Sequence, residues 1–161
     1  MSDDEEYLVA ASCILATAGE LNVSTSLVDD EGVDLVFHRR GSTVTLAVQV
    51  TARMSTGVLV RQGRLMAFVR SQTFQPRSDL DMLFVAVDVE RGAIMTAWLV
   101  PSPAFAEMVP EPNNKGRFRF SASMKPASMD RWTPFRLEAA ELPRRILTRL
   151  AELEEGPAPS L

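Results

Sequence analysis

The run Gly32-Val33-Asp34-Leu35-Val36-Phe37 and, beyond Gly41, the run Leu46-Ala47-Val48-Gln49-Val50-Thr51 decide the fold of this chain. Both runs are rich in β-branched and apolar residues, and Arg40-Gly41-Ser42 between them is typical of a tight turn. The sequence therefore predicts two strands, Val33 to Arg39 and Thr43 to Ala52, joined as a hairpin.

The polar side chains of this hairpin form a pattern that suits a metal ion. Successive side chains of a strand point to opposite faces, so Gln49, Thr51 and Arg53 share one face of the second strand. Mg²⁺ prefers carboxylate and carbonyl oxygens and keeps several of its waters. Asp34, the amide oxygen of Gln49 and a backbone carbonyl would therefore make a partial ligand shell for Mg²⁺ or Mn²⁺.

This pattern resembles that of the PD-(D/E)XK superfamily, the restriction-endonuclease-like fold, in its variant with Gln in place of the second acid. Asp34 matches the first motif position and Gln49 the second, while Thr51 stands where the family has its lysine. The resemblance covers roughly residues 4 to 100 and includes the order of a leading helix, a hairpin and later strands. It implies a metal-dependent nuclease-like domain that uses Mg²⁺ or Mn²⁺.

The departure at Thr51 bears on catalysis. The family's lysine is understood to position the attacking water and to offset charge at phosphorus, whereas threonine carries no charge. Losing such a group typically costs on the order of 3 kcal/mol of transition-state stabilisation. Arg53 lies on the same strand face and is a candidate replacement, and Lys115 and Lys125 are the lysines of the chain.

A metal site of this kind needs a second acid. The resemblance implies that it comes from the first helix, where Glu5 and Glu6 are candidates, and Glu20 just after that helix is another. The acidic run that contains Glu6 is more typical of a helix N-terminus, which the helix dipole stabilises, than of a ligand set.

Charge is distributed unevenly along the chain, whose net charge is −4. Residues 1–34 contain nine acids and no Lys or Arg, and residues 35–78 contain seven arginines and no acid. A basic face of this kind can follow a phosphate backbone, with Arg39, Arg40, Arg61 and Arg64 as the candidate nucleic-acid contacts. Alternatively, the two blocks pair across the fold as surface salt bridges. A pI near 5.1 argues against constitutive, tight nucleic-acid binding.

The remaining pattern predicts an α/β fold with one domain, residues 1–156, and a short disordered tail, residues 157–161. Its central mixed β-sheet is flanked by an N-terminal and a C-terminal helix. The predicted elements are a helix at Arg64–Ser71, strands at Met82–Asp88 and Ala93–Val100, a helix at Ser102–Met108, a strand at Arg117–Ala122 and a helix at Leu142–Glu155.

Several single residues fit a packed interior better than a site. Trp98, Trp132 and Cys13 are expected to pack in the core, since isolated tryptophans are mostly buried and the one cysteine has no partner for a disulfide. The strand face that carries Arg117 and Arg119 can contact nucleic acid or be merely solvated. No apolar run approaches the length of a membrane span, and the acidic start is unlike a signal peptide, so a cytoplasmic location without a membrane partner is expected.

Three functional hypotheses remain open from the sequence. The preferred one is a degenerate nuclease-like domain that binds DNA or another partner with lost or weak cleavage. The alternatives are an active Mg²⁺- or Mn²⁺-dependent DNA endonuclease with a relocated cationic residue, and an oligomeric protein-interaction domain without nucleic-acid contact. A homodimer is compatible with each of them.

Overall fold

The computed structural model of the chain describes residues 3–25 and 32–156. In chain order the elements are α1 (Asp3–Ala16), β1 (Leu21–Thr25), β2 (Leu35–Arg39), β3 (Thr45–Met54), α2 (Val58–Arg61), β4 (Arg64–Arg70), β5 (Leu80–Asp88), β6 (Ala93–Pro101), α3 (Ser102–Met108), β7 (Arg117–Ser123), β8 (Arg136–Glu138) and α4 (Leu142–Glu155). Two short 3-10 turns flank β8. The predicted tail, residues 157–161, lies outside the described residues.

The strands form one large mixed sheet and one two-stranded ribbon. The large sheet has the order β1-β2-β3-β5-β6-β8, and β4 pairs with β7 to form the ribbon. β3 and β5 are parallel, whereas the other neighbours in the sheet are antiparallel. This mixed sheet with helices at both ends of the chain confirms the predicted α/β fold class.

Apolar side chains pack on both faces of the large sheet. The helix-side cluster lies under α1 and α4 and includes Val9, Cys13, Phe37, Val50, Leu83 and Leu150. The ribbon-side cluster lies between the sheet, α3 and the ribbon and includes Leu65, Phe84, Trp98, Phe105, Phe120 and Trp132. β5 contributes to both clusters, which is why its sequence is an almost continuous apolar run.

The prediction of a helix at Arg64–Ser71 is wrong. The segment Arg64–Arg70 is strand β4, which pairs antiparallel with β7 over its whole length. Its alternate residues Leu65, Ala67 and Val69 are buried, as expected for a strand with one face against a core. The partner strand lies far along the sequence, so local propensity could not reveal the pairing.

The C-terminal helix has the predicted bounds, Leu142–Glu155. Its apolar stripe, with Leu142, Ile146 and Leu150, is buried in the helix-side cluster. Arg149 anchors the helix to the sheet, because Nε and Nη2 each donate to a carboxylate oxygen of the fully buried Asp81 at 2.9 Å. Burial raises the pKa of Asp81 against the effect of Arg149.

The expected packing residues are buried. Trp98 and Trp132 are fully buried in the ribbon-side cluster, so neither is exposed for base stacking. Cys13 is buried in the helix-side cluster, and burial raises the pKa of its thiol to about 12, which leaves no reactive thiolate near neutral pH. Within the described ranges, no helix has the length and apolar character that crossing a membrane requires.

Candidate site at the end of the β2–β3 pairing

The candidate site lies where β2 stops pairing with β3. The last paired residues are Leu35 and Val48, whereas β3 continues to Met54 with β5 on its other side. Backbone groups of β3 beyond Val48 that point toward β2 therefore need other partners. Asp34 lies at this point: its N–H donates to the Val48 carbonyl at 3.0 Å, and its Oδ2 accepts the Val50 N–H at 2.7 Å.

Gln49 lies beside Asp34, one strand over. The register pairs Leu35 with Val48, and Gln49 is the next residue of β3, on the face that also carries Thr51 and Arg53. The side-chain amide of Gln49 lies against Gly32, where a Cβ atom would be only 3.1 Å from Oε1. Gly32 also has φ +72°, so both its backbone conformation and its space favour glycine.

Thr51 and Arg53 follow on the same face. Thr51 is half-buried opposite Phe84 of β5. The Arg53 guanidinium donates to backbone carbonyls: Nε to Met66 of β4 at 3.0 Å and Nη1 to Ala52 at 2.9 Å. Burial lowers the pKa of Arg53 below its ordinary value, although an arginine remains charged in proteins. Arg53 thus joins β3 to the ribbon.

The structure separates the candidate acids into two groups. The turn Thr17–Glu20 reverses the chain between α1 and β1, so the half-buried Glu5 and Glu6 in the first turn of α1 lie toward the end of the sheet that carries Asp34. Glu20 lies at the other end, where its carbonyl accepts the Arg40 N–H at 2.8 Å. Six strand steps separate Arg40 from Asp34, roughly 20 Å, so Glu20 and Asp34 cannot share one ion.

The donors do not add up to a preformed metal site. Across residues 3–25 and 32–156, no three His, Cys, Asp or Glu side chains group in a way that could hold a metal ion. The arrangement offers the Asp34 carboxylate, one oxygen of which accepts the Val50 N–H, and the Gln49 amide. Mg²⁺ is commonly held by one or two carboxylates together with water and substrate phosphates. Among the described residues, Asp34 and Gln49 would therefore hold Mg²⁺ or Mn²⁺ only with waters or a bound phosphate completing its shell.

The arginines predicted to contact nucleic acid do not form one surface. Arg39 and Arg40 lie at the Thr45 end of β3, whereas Arg61 and Arg64 follow its Met54 end. Nine strand steps separate those ends, about 30 Å. Arg39 also pairs with Glu154 of α4 at 2.6 Å, so part of the basic block does pair with acids across the fold.

Sequence reasoning missed Arg70, which shares the outward face of the ribbon with Arg64, Arg117 and Arg119. The sequence Arg-Leu-Met-Ala-Phe-Val-Arg has five consecutive apolar residues between its two arginines, so it contains no polar alternation that could have identified this face. The alternation of buried and exposed residues becomes visible only once β4 pairs with β7.

The fold of the whole chain is similar to that of solved structures. The chain matches a bacterial homing endonuclease, I-Ssp6803I, with a TM-score of 0.52 and 19% identity over 92% of this chain and 94% of that one. The fold is nuclease-like. A second match, to the crystal structure of MepB, has a TM-score of 0.39 and 10% identity over 86% of this chain and 97% of that one. No protein-family model and no curated protein matches the sequence.

Proposed function

We propose that the chain is a degenerate PD-(D/E)XK-type domain that binds DNA and has lost efficient cleavage. The motif positions Asp34 and Gln49 meet at the end of the β2–β3 pairing, and Thr51 follows on the same face as Gln49. The nuclease-like fold supports this assignment. Thr51 carries no charge, so the domain lacks a group that cleavage uses but DNA binding does not require.

The observation that carries the proposed loss of cleavage is the position of the Arg53 side chain. Arg53 is the cation on the motif face of β3, yet its Nε and Nη1 donate to the carbonyls of Met66 and Ala52. Moving the guanidinium onto a phosphate would leave those carbonyls without these partners, at a cost of about 1–3 kcal/mol for each one that stays buried. Arg53 is therefore poorly placed to replace the missing lysine.

The second candidate function is an active Mg²⁺- or Mn²⁺-dependent endonuclease. The observation in its favour is that Asp34, just before β2, is hydrogen-bonded to the residues of β3 on either side of Gln49. A cation from elsewhere in the chain would then have to supply the charge that Thr51 lacks. The preserved pair is equally compatible with a structural role, because Asp34 accepts the Val50 N–H.

The experiment follows binding and cleavage of labelled duplex DNA by the wild type, Asp34→Asn and Thr51→Lys, with Mg²⁺ or Mn²⁺. Asn is chosen because its amide oxygen can still accept the Val50 N–H while the charge is removed. We expect the wild type to bind DNA without cutting it. Thr51→Lys should gain cleavage of about a hundredfold over wild type, because it restores a positioned charge. The double variant with Thr51→Lys and Asp34→Asn should lose that gain in cleavage.

The matched control is Thr45→Lys, which adds the same charge to an exposed position on the same face of β3, far from Asp34. Equal cleavage by the two lysine variants would indicate contamination or a non-specific effect of charge. Cleavage by the wild type that disappears in Asp34→Asn would instead establish the active endonuclease. If the wild type neither binds nor cleaves DNA, the domain is better explained as a protein-interaction module.

A further inference from the structure

The outward face of the β4–β7 ribbon is strongly basic. The cross-strand pairs on this face are Arg64 with Ser123, Met66 with Ser121, Phe68 with Arg119, and Arg70 with Arg117. Four of these eight side chains are arginines, and none is an acid. None of the four takes part in an ion pair with another residue of the described ranges.

Packing does not explain why two arginines lie opposite each other. Arg70 and Arg117 are direct cross-strand partners, and like charges in that position destabilise a ribbon. The Arg117 guanidinium lies 4.6 Å from the centre of the Phe68 ring, and its buried Nε has no hydrogen-bond partner. Neither arginine is in an ion pair with another residue of the described ranges, so their positive charge stays available for an anionic partner.

One acid close to this face, Asp130, does not neutralise it. Asp130 lies close enough to Arg64 for their charges to interact, but its carboxylate accepts the backbone N–H groups of Ser123 and Trp132 at 2.8 and 2.9 Å. Burial would raise the pKa of Asp130, but these hydrogen bonds, with a further bond from Thr133 and the charge of Arg64, hold it below its ordinary value. Asp130 is thus committed to the loop after β7.

The inward face holds the ribbon rigidly in place. Leu65, Val69 and Phe120 are fully buried, and the Phe120 ring stacks on Phe84 of the large sheet with centroids 3.9 Å apart. The ribbon presents its arginines from a packed core rather than from a loop. Little ordering entropy is then lost when a partner binds.

We infer that the outward face of the β4–β7 ribbon is the surface that holds duplex DNA, with the ribbon lying in the major groove. A two-stranded ribbon fits this groove, which is about 12 Å wide, and strands of seven residues span about 20 Å along it. The arginines reach the flanking phosphates, and Met66 and Phe68 face the floor of the groove. This inference rests on the proposed function and names the surface for it.

The connection to the candidate site is direct. Arg53 on the motif face of β3 donates to the Met66 carbonyl of β4. The backbone of the ribbon is thereby joined to the strand that carries Gln49 and Thr51.

The test compares two double variants with the same charge change. Arg70→Gln with Arg119→Gln removes two exposed arginines from the ribbon, and Arg144→Gln with Arg145→Gln removes two exposed arginines from α4. Fluorescence anisotropy with a labelled DNA duplex, a matching RNA duplex and a single strand measures affinity over a series of salt concentrations. Circular dichroism and thermal unfolding verify that each variant is folded.

The ribbon variant should bind the DNA duplex at least about tenfold more weakly, with the slope of log K against log salt reduced by about 1.8, since each phosphate contact contributes about 0.9. The α4 variant should resemble the wild type. Equal binding by wild type and ribbon variant would overturn the inference but leave the proposed function standing. Absence of DNA binding by the wild type would overturn both.

The RNA duplex and the single strand test whether the ribbon enters the major groove of DNA. A-form RNA has a deep, narrow major groove that a ribbon cannot enter, so we expect weaker binding to RNA that depends little on Arg70 and Arg119. Equal affinity for all three nucleic acids, with the same loss in the ribbon variant, would overturn insertion into the major groove.

Discussion

At the scale of single residues, the side chains of Asp34 and Arg53 stabilise the backbone of β3 at positions where the motif predicts catalytic residues. β3 extends six residues beyond the end of its pairing with β2. Its backbone groups on the β2 side therefore have no strand partner there. Asp34 accepts the N–H of Val50, and Arg53 donates to the carbonyl of Ala52. Both side chains replace the hydrogen bonds that a longer β2 would have made. Retention of Asp34 therefore does not by itself indicate retained catalysis.

Asp34→Ala should lower the free energy of unfolding by about 1–3 kcal/mol, because it leaves the Val50 N–H without its 2.7 Å partner. Asp34→Asn should lose clearly less, since its amide oxygen can take the same position. Urea unfolding of the two variants beside the wild type measures the difference. If both variants lose the same amount, the carboxylate charge rather than the hydrogen bond is what stabilises the fold.

At the scale of elements, strand pairing decides the secondary structure of segments whose local sequence suits both a helix and a strand. Arg64–Arg70 suits a helix by composition, yet it becomes β4 because β7 offers a complete antiparallel partner and its alternate residues fill the ribbon-side cluster. The helix Leu142–Glu155 was predictable, because its apolar spacing and following glycine are local signals. Its anchor to the buried Asp81 was not, since that contact joins distant positions of the sequence.

Arg149→Ala should lower the free energy of unfolding by about 3–5 kcal/mol, because it leaves Asp81 buried without its ion-pair partner. The matched control, Arg145→Ala on the exposed face of α4, should change stability by no more than about 0.5 kcal/mol. Chemical denaturation measures both.

A second variant separates the buried charge from simple packing. Replacing Arg149 with Met and Asp81 with Leu together should recover most of the loss, as apolar replacement of buried ion pairs often does. A double variant that is no more stable to unfolding than Arg149→Ala would show that the guanidinium stabilises the fold mainly through its bonds to Ser78 and Glu152.

At the scale of the whole molecule, one sheet joins two apolar clusters. β5 and β6 contribute residues to the helix-side cluster and to the ribbon-side cluster, so neither cluster can unfold while the other keeps its sheet. Both tryptophans lie in the ribbon-side cluster. Their fluorescence should therefore respond to destabilising substitutions in the helix-side cluster.

Leu150→Ala removes a buried side chain from the helix-side cluster and should destabilise the protein by about 2–5 kcal/mol. Because unfolding is expected to be cooperative, tryptophan fluorescence and far-UV circular dichroism should shift by the same amount. The exposed Leu15→Ala is the control and should leave the midpoint nearly unchanged. A fluorescence transition that stays at the wild-type position would show that the two clusters unfold independently.

The β2–β3 hairpin, the apolar strands β5 and β6 and the helix α4 follow from the sequence, because turn residues, β-branched runs and helical spacing act over a few positions. The same local logic identified this hairpin as the place of Asp34, Gln49 and Thr51, although β2 begins at Leu35, one residue after Asp34 and two residues later than predicted. The pairing of β4 with β7, the separation of Glu20 from Asp34 and the engagement of Arg53 by backbone carbonyls depend on contacts between distant segments. Such contacts form only when the sheet closes around both clusters, so no local pattern encodes them.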